Sequence, residues 1–277
     1  MITMDNICKS YRIAKRNAGF AEACKSLFHR EYEDISALKN ISFTIHDGEM
    51  VGYIGPNGAG KSSTIKILSG ILAPDSGRVL VDGRVLWDMG DVKCKPLIKQ
   101  EKCSRIEHVR QIGVVFGQRS QLWWDVPVID SFELLKDIYS ISIPVYRENL
   151  EELTELLNLK ELLRTPVRQL SLGQRMRCEI AASLLHSPRI LFLDEPTIGL
   201  DAVSKIAVRE FVNKLNMAHG TTVILTTHDM QDIEALTHRI ILIGKGRILM
   251  DGDLETLKKG DASMDETLAE LYKTYEI

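Results

Sequence analysis

The apolar positions of this chain switch repeatedly between the spacing of strands and the spacing of helices. Ile2 to Tyr11 and Ala37 to Ile45 read as strands, and the unbroken apolar run Met50 to Ile54 reads as a buried one. Thr64, Ile65, Ile67, Leu68 and Ile71 then recur at helical intervals. Pro74 to Gly77 supplies a turn, and Arg78 to Trp87 predicts a hairpin around Asp82-Gly83. Gln111 to Phe116 reads as a further buried strand. Helical periodicity marks Ser131 to Ser140 and Tyr146 to Leu163, with Pro144 between them and Pro166 beyond. Ser171 is expected to cap a helix over Gln174 to His186. The strand Ile190 to Leu193, the helix Val203 to Ala218, the strand Thr222 to Thr226 and the helix Met230 to Leu236 follow. A hairpin through Ile240 to Met250, turning at Gly244 to Gly246, closes the series. This order predicts an α/β fold with a largely parallel sheet.

Three stretches fall outside the alternation. Residues 14–35 separate two strands by more than a hairpin needs, and Phe20, Cys24, Leu27 and Phe28 share one helical face ringed by Lys15, Arg16, Lys25, His29 and Arg30. That pattern fits a short basic amphipathic helix, lying on a membrane surface or membrane partner, or packed on its own domain. Asp88 to His108 is charged and irregular, and predicts a surface insertion over about 88–109. The tail, 253–277, predicts a helix over Asp265 to Tyr275 with Leu268, Leu271, Tyr272 and Tyr275 on one side, either bracing a dimer contact or packing on its own domain.

Composition narrows the partners. A chain of 277 residues with 44% hydrophobic side chains can bury a substantial core. A net charge of −3 and a pI near 6.2 give no electrostatic footprint for nucleic acid. Cys8, Cys24, Cys94, Cys103 and Cys178 are odd in number and include no C-x-x-C pair, so neither a disulfide framework nor a zinc site is expected, and a reducing cytosol fits. Asp5 and Asn6 interrupt any signal-like opening, and apolar runs such as Ile240 to Ile243 are too short to cross a bilayer.

Chemistry enters at Gly55-Pro56-Asn57-Gly58-Ala59-Gly60-Lys61-Ser62-Ser63. Gly55, Gly60, Lys61 and Ser62 fill the fixed positions of G-x-x-x-x-G-K-[ST], with a strand before and a helix after, as the motif requires. Glycines let the backbone curl so that N–H groups point at a polyphosphate, and the helix start adds its positive end. Lys61 is expected to reach the β- and γ-phosphates and the Ser62 hydroxyl to hold Mg²⁺. A glycine-rich turn that binds nothing would leave four coincident positions to chance. Further on, ILFLDE ends a buried strand in two acids. Asp194 is expected to hold Mg²⁺ and Glu195 to polarise the attacking water as general base, the plain alternative being an acidic helix cap.

Leu170 to Gln174 reads LSLGQ. Together with GPNGAGKSS, Gln118, LDEPT (Leu193 to Thr197), GLD (Gly199 to Asp201) and TTHD (Thr226 to Asp229), in this order and spacing, the chain resembles the ATPase subunit of ABC transporters from Tyr11 to about Gly252. The resemblance implies a P-loop NTPase core over 1–252 with a mainly parallel sheet, an N-terminal antiparallel β subdomain, and an inserted α-helical subdomain at about 119–187. It implies that Tyr11 stacks on adenine, that Gly55 to Ser63 hold the phosphates, and that Gln118 senses Mg²⁺ and attacking water. Asp194 and Glu195 match the metal-linked aspartate and catalytic base, His228 the switch histidine that contacts the γ-phosphate, and Asp201 the aspartate that crosses the dimer interface. Ser171, Gly173 and Gln174 match the signature that closes over ATP bound to the opposite subunit. The implied ligands are ATP and Mg²⁺. The implied partners are a second ATPase subunit, identical or related, and separate membrane permease subunits, at the cytoplasmic face of the cell membrane.

Leu172 stands where the family signature usually has glycine, which leaves binding intact and puts geometry and rate in question. Phe116 to Phe132 is unusually aromatic where family members meet the coupling helix of their membrane partner. Trp123 and Trp124 either line that socket or belong to the core of the helical subdomain. QLWW, PTIGLD and TTHDM look most like bacterial exporter ATPases with separate permeases, including those for drugs and other amphiphiles. A ribosome- or DNA-directed ATPase of the same type is opposed by the single phosphate loop and the lack of sustained heptads. A weakly hydrolysing regulatory subunit is opposed by Glu195 and His228. Import is the remaining alternative to export.

Overall fold

The computed structural model describes residues 1–14, 32–89, 105–117, 119–257 and 264–274. Strands β1 (Ile2–Ala14), β2 (Tyr32–Ile45), β4 (Ser76–Val81) and β5 (Arg84–Met89) form an antiparallel sheet in the order β2-β1-β4-β5. Strands β3 (Met50–Ile54), β6 (Ile112–Phe116), β7 (Ile190–Asp194), β8 (Thr222–Thr226), β9 (Arg239–Gly244) and β10 (Arg247–Asp253) form a second sheet, ordered β10-β9-β3-β8-β7-β6. It is parallel except for the β9–β10 hairpin. The helices are α1 (Lys61–Leu68), α2 (Val128–Ile138), α3 (Ile143–Leu156), α4 (Leu172–Leu184), α5 (Ala202–His219) and α6 (Met230–Leu236), with α7 (Leu254–Leu257) and α8 (Met264–Thr274) in the tail.

The central strands are apolar without interruption because both of their faces are covered. On β7, Ile190 and Phe192 enter the core shared with α1 and the antiparallel sheet, while Leu191 and Leu193 enter the core that α4, α5 and α6 complete. Each such side chain contributes about 1.5–3 kcal/mol when fully buried. The expected hairpin turns at Asp82-Gly83, both in the left-handed region (φ 49° and 72°).

Several expected boundaries are corrected. The helix anticipated over Tyr146 to Leu163 spans Ile143–Leu156, and Pro144 lies in its first turn, where the missing N–H removes no helical bond. It stops early because Asn158 adopts a left-handed backbone (φ 52°), although Leu157, Leu159 and Leu162 are still buried. Helix α2 begins at Val128, a turn ahead of Ser131, directly after Pro127. Helix α4 begins at Leu172, two residues ahead of Gln174, because Ser171 is itself the cap.

The anticipated insertion at 88–109 is built into the fold at both ends. Asp88 belongs to β5, residues 105–109 are helical, and buried His108 donates from Nε2 to Leu68 O at 2.7 Å. The basic helix expected to carry Phe20, Cys24, Leu27 and Phe28 falls outside the described residues. On either side of it in sequence, β1 and β2 run on as a paired ribbon to Ala14 opposite Tyr32. In α8, Leu271 and Tyr272 pack on the larger core, so the tail helix lies on its own domain. Among the described residues, no helix is long and apolar enough to cross a membrane.

Candidate functional site

Strand β3 runs into the glycine loop and α1 leaves it. A Cβ on Gly55 would stand 2.1 Å from Ile243 O, and one on Gly60 (φ 113°) 2.7 Å from Ala37 O, so the loop is wedged between β9 and β2 and admits no side chain there. Ala37 O would likewise stand 2.6 Å from a Cβ on Gly246, whose N–H donates to Ala59 O at 3.1 Å. Helix α1 starts at Gly60 without a side-chain cap, which leaves its first N–H groups to a ligand. Lys61, only 7% exposed, donates from Nζ to Gly55 O (2.6 Å) and Pro56 O (3.2 Å). Burial lowers its pKa, against the opposing pull of Glu195 and Asp194.

Strand β7 delivers the acids. Asp194 Oδ1 accepts from Thr226 Oγ1 at 2.5 Å and from Ser62 Oγ at 3.5 Å. Glu195 has left-handed backbone (φ 54°), a conformation worth about 1–3 kcal/mol of strain. Its N–H holds it there by donating to Thr226 O (2.9 Å) and Thr226 Oγ1 (3.2 Å). Glu195 Oε1 lies 3.6 Å from Nδ1 of His228, whose side chain is 62% exposed. Gly55, Pro56, Asn57, Ser62, Asp194, Glu195 and His228 line one open cavity of about 940 Å³, and Tyr272 of α8 closes part of its wall. Tyr11 is half-buried beside the loop, its hydroxyl 3.1 Å from Ser63 Oγ, and is not among the lining residues.

Ser171, Gly173, Gln174 and Asp201 form a separate group that does not line this cavity. Ser171 Oγ accepts from Gln174 N (3.2 Å) while Gln174 Oε1 accepts from Ser171 N (2.9 Å), a capping box that commits the glutamine carbonyl to its own helix. A Cβ on Gly173 would meet Ser204 Oγ at 2.3 Å, so this glycine is required by packing against α5. Ser204 donates to Asp201 from both N (2.9 Å) and Oγ (2.8 Å), which lowers the aspartate pKa. Leu172 rests on Gly199 (φ 70°), its Cδ2 2.9 Å from where a Cβ would stand. Gln118 lies outside the described residues.

Sequence reading assigned no part to Thr226 or to Asp232. Fully buried Asp232 accepts from Arg209 Nε (2.6 Å), Thr227 Oγ1 (3.2 Å) and Thr197 Oγ1, and Asp229 accepts from Lys205 Nζ at 2.5 Å. This network fastens the loops carrying Glu195 and His228 to α5 and α6. The one available clue was an acid on the buried face of a short helix.

Among the described residues no group of three or more His, Cys, Asp or Glu could hold a metal. The Ser62 hydroxyl and Asp194 carboxylate are hard oxygen donors of the sparse kind that Mg²⁺ accepts when phosphate and water complete its shell. A second cavity of about 530 Å³, between α3 and α5, has the apolar wall of Leu153, Leu156, Phe211 and Leu215 and no phosphate-binding loop.

A buried lysine in a glycine loop, with two acids at the end of a strand of the same sheet, defines a P-loop nucleoside triphosphatase. The family model for ABC transporters matches residues 38–198, and the chain belongs to that family. It is 29% identical to the ABC transporter ATP-binding protein NatA of Bacillus subtilis (strain 168), over 87% of this chain and 92% of that protein. It is 33% identical to the daunorubicin resistance ATP-binding protein DrrA3 of Streptomyces coeruleorubidus, over 83% and 67%. It is 31% identical to the methionine import ATP-binding protein MetN 2 of Bacillus licheniformis, over 92% and 66%. Among solved structures, the dimeric ATP-binding cassette MJ0796 in a post-hydrolysis state bound to ADP and Pi matches with a TM-score of 0.71 and 28% identity, over 92% of this chain and 99% of that one. The chain is thus an ATP-binding subunit of an ABC transporter that hydrolyses ATP with Mg²⁺; such cassettes dimerise and work with membrane permease components.

Proposed function

We propose that this chain powers export of a drug-like, lipid-like or other amphiphilic compound through separate permease subunits, from the cytoplasmic face of the membrane. The observation that carries the hydrolytic half of this reading is the Glu195 carboxylate held beside His228 at the cavity that Lys61 and the glycine loop underlie. Loop N–H groups and Lys61 bind the β- and γ-phosphates, and Lys61 exchanges its two loop carbonyls for phosphate oxygens. Ser62 and Asp194 hold Mg²⁺, which neutralises charge on those phosphates when bound. Glu195 takes a proton from water as the water oxygen bonds to the γ-phosphorus and the bond to the β-phosphate oxygen breaks. His228 steadies the γ-phosphate, Gln118 reports its presence, and Tyr11 stacks on adenine. Ser171, Gly173 and Gln174, in a helical subdomain over about 119–187, close on ATP held by a second copy or a related chain, and Asp201 crosses between them.

Export is supported by the likeness to DrrA3 and by the QLWW stretch. The comparable likeness to MetN 2 keeps import as the second reading. Co-purification of the permease with this chain, followed by ATP hydrolysis assays in proteoliposomes, separates the two. Stimulation by daunorubicin or another amphiphile and none by methionine is expected, and the reverse result would replace export with import.

A further inference from the structure

Glu179 is 4% exposed and carries a carboxylate in the middle of α4. Its Oε1 accepts from Ser120 Oγ and its Oε2 from Gln121 N at 3.1 Å, while its backbone carbonyl accepts from Gln121 Nε2 at 2.9 Å. One turn nearer Ser171, the Arg175 guanidinium lies over the Trp124 ring, 5.8 Å from its centroid. Ser120, Gln121 and Trp124 are therefore bound along the helix whose first turn bears Ser171 and Gly173, while Trp123 N donates to Ser131 Oγ of α2 at 3.0 Å. Trp123 and Trp124 stand at the end of that segment, 59% and 52% exposed. Burial raises the Glu179 pKa against the hydrogen bonds of Ser120 and Gln121. A buried charge of this kind is a weak stabiliser, which an apolar or neutral side chain often replaces without loss, so stability alone is a poor reason for it.

We infer that Glu179 is a positioning residue that locks the exposed tryptophan pair to the signature helix, so that closure of Ser171 and Gly173 over nucleotide moves Trp123 and Trp124 with it. The inference deepens the proposed function and rests on its claim that MgATP closes the signature over a second copy. Its chemistry is mechanical: no bond is made or broken at Glu179, and the carboxylate serves as a two-point acceptor for the segment ahead of the tryptophans.

Tryptophan emission during MgATP titration tests it, in protein carrying Glu195→Gln to stop turnover. The third tryptophan, Trp87, is buried with its Nε1 donating to Ile67 O, and a Trp123→Phe/Trp124→Phe control assigns the signal to the pair. The parent is expected to change emission on MgATP. Glu179→Ala should lose most of that change while fluorescent-ATP affinity stays within about threefold and dimerisation by light scattering persists. Glu179→Gln, which keeps an acceptor for Ser120, should recover part of it. Full amplitude in Glu179→Ala overturns the inference; should that variant be unfolded by circular dichroism, full amplitude in Ser120→Ala does the same. A silent parent that binds MgATP and dimerises also overturns it. A parent that binds MgATP but stays monomeric overturns the proposed function first, and the inference with it.

Discussion

Glu195 sits in a backbone conformation that non-glycine residues avoid, and Thr226 holds it there with a hydroxyl that also binds Asp194. Replacing Glu195 by Gln keeps shape and removes the proposed base. Turnover should fall by about 10²–10⁴-fold with ATP affinity little changed, as measured by phosphate release and equilibrium nucleotide binding. At the signature, Gly199→Ala forces a Cβ onto Leu172 as well as into a left-handed backbone. Its destabilisation should shrink in a Leu172→Gly background, with a coupling of about 0.5–3 kcal/mol in a denaturation double-mutant cycle; strict additivity would show that the two residues do not press on each other. Lys61, Asp194 and Glu195 were legible because short motifs fix them. Thr226 was not, because it reaches Asp194 only through the register that pairs these two residues on β7 and β8, and pairing of strands far apart in sequence leaves no local mark.

The starts of α2, α3 and α4 lie two or three residues ahead of where periodicity put them. Ser171 announced α4 through its cap chemistry, whereas the end of α3 depends on Asn158 taking a conformation that periodicity does not encode. Two histidines make the joints between elements sensitive to acid. His186, just past α4, stacks on Tyr139 with ring centroids 3.9 Å apart and donates to Ile112 O at 2.9 Å, and His108 is tied to Leu68 in the same way. In both, Nδ1 is buried without a partner among the described residues, and burial lowers the pKa below the ordinary 6.5. Folding therefore favours the neutral rings: their contribution is complete above pH 6.5 and is lost as pH falls through the lower folded-state values. Melting temperature should drop between about pH 7 and pH 5, and His108→Gln/His186→Gln should flatten that slope, as read by calorimetry across the range. An unchanged slope would place the acid sensitivity elsewhere.

At the scale of the molecule, alternation of strands and helices gave away the parallel sheet but not the order β10-β9-β3-β8-β7-β6, which is set by which crossovers bury their faces. The β4–β5 hairpin was legible from its turn, but its union with β1 and β2 in one antiparallel sheet was legible only through family resemblance, since β3, the phosphate loop and α1 intervene. Asp194, Glu195 and His228 line the cavity and the Ser171 group does not, and the proposed function brings the two groups together across two chains. MgATP should convert the Glu195→Gln protein from monomer to dimer in size-exclusion chromatography with light scattering. Adding Ser171→Arg should keep it monomeric with nucleotide still bound. A dimer that forms equally well with the arginine present would rule out signature-mediated closure. The backbone oxygen of Ala37 is pressed against both Gly60 and Gly246, five residues in from the ribbon end at Tyr32. A probe or fused domain attached beyond that end would ride on a lever roughly 17 Å long whose fulcrum is the nucleotide cradle itself, so that a push from outside is delivered to the backbone around Gly60.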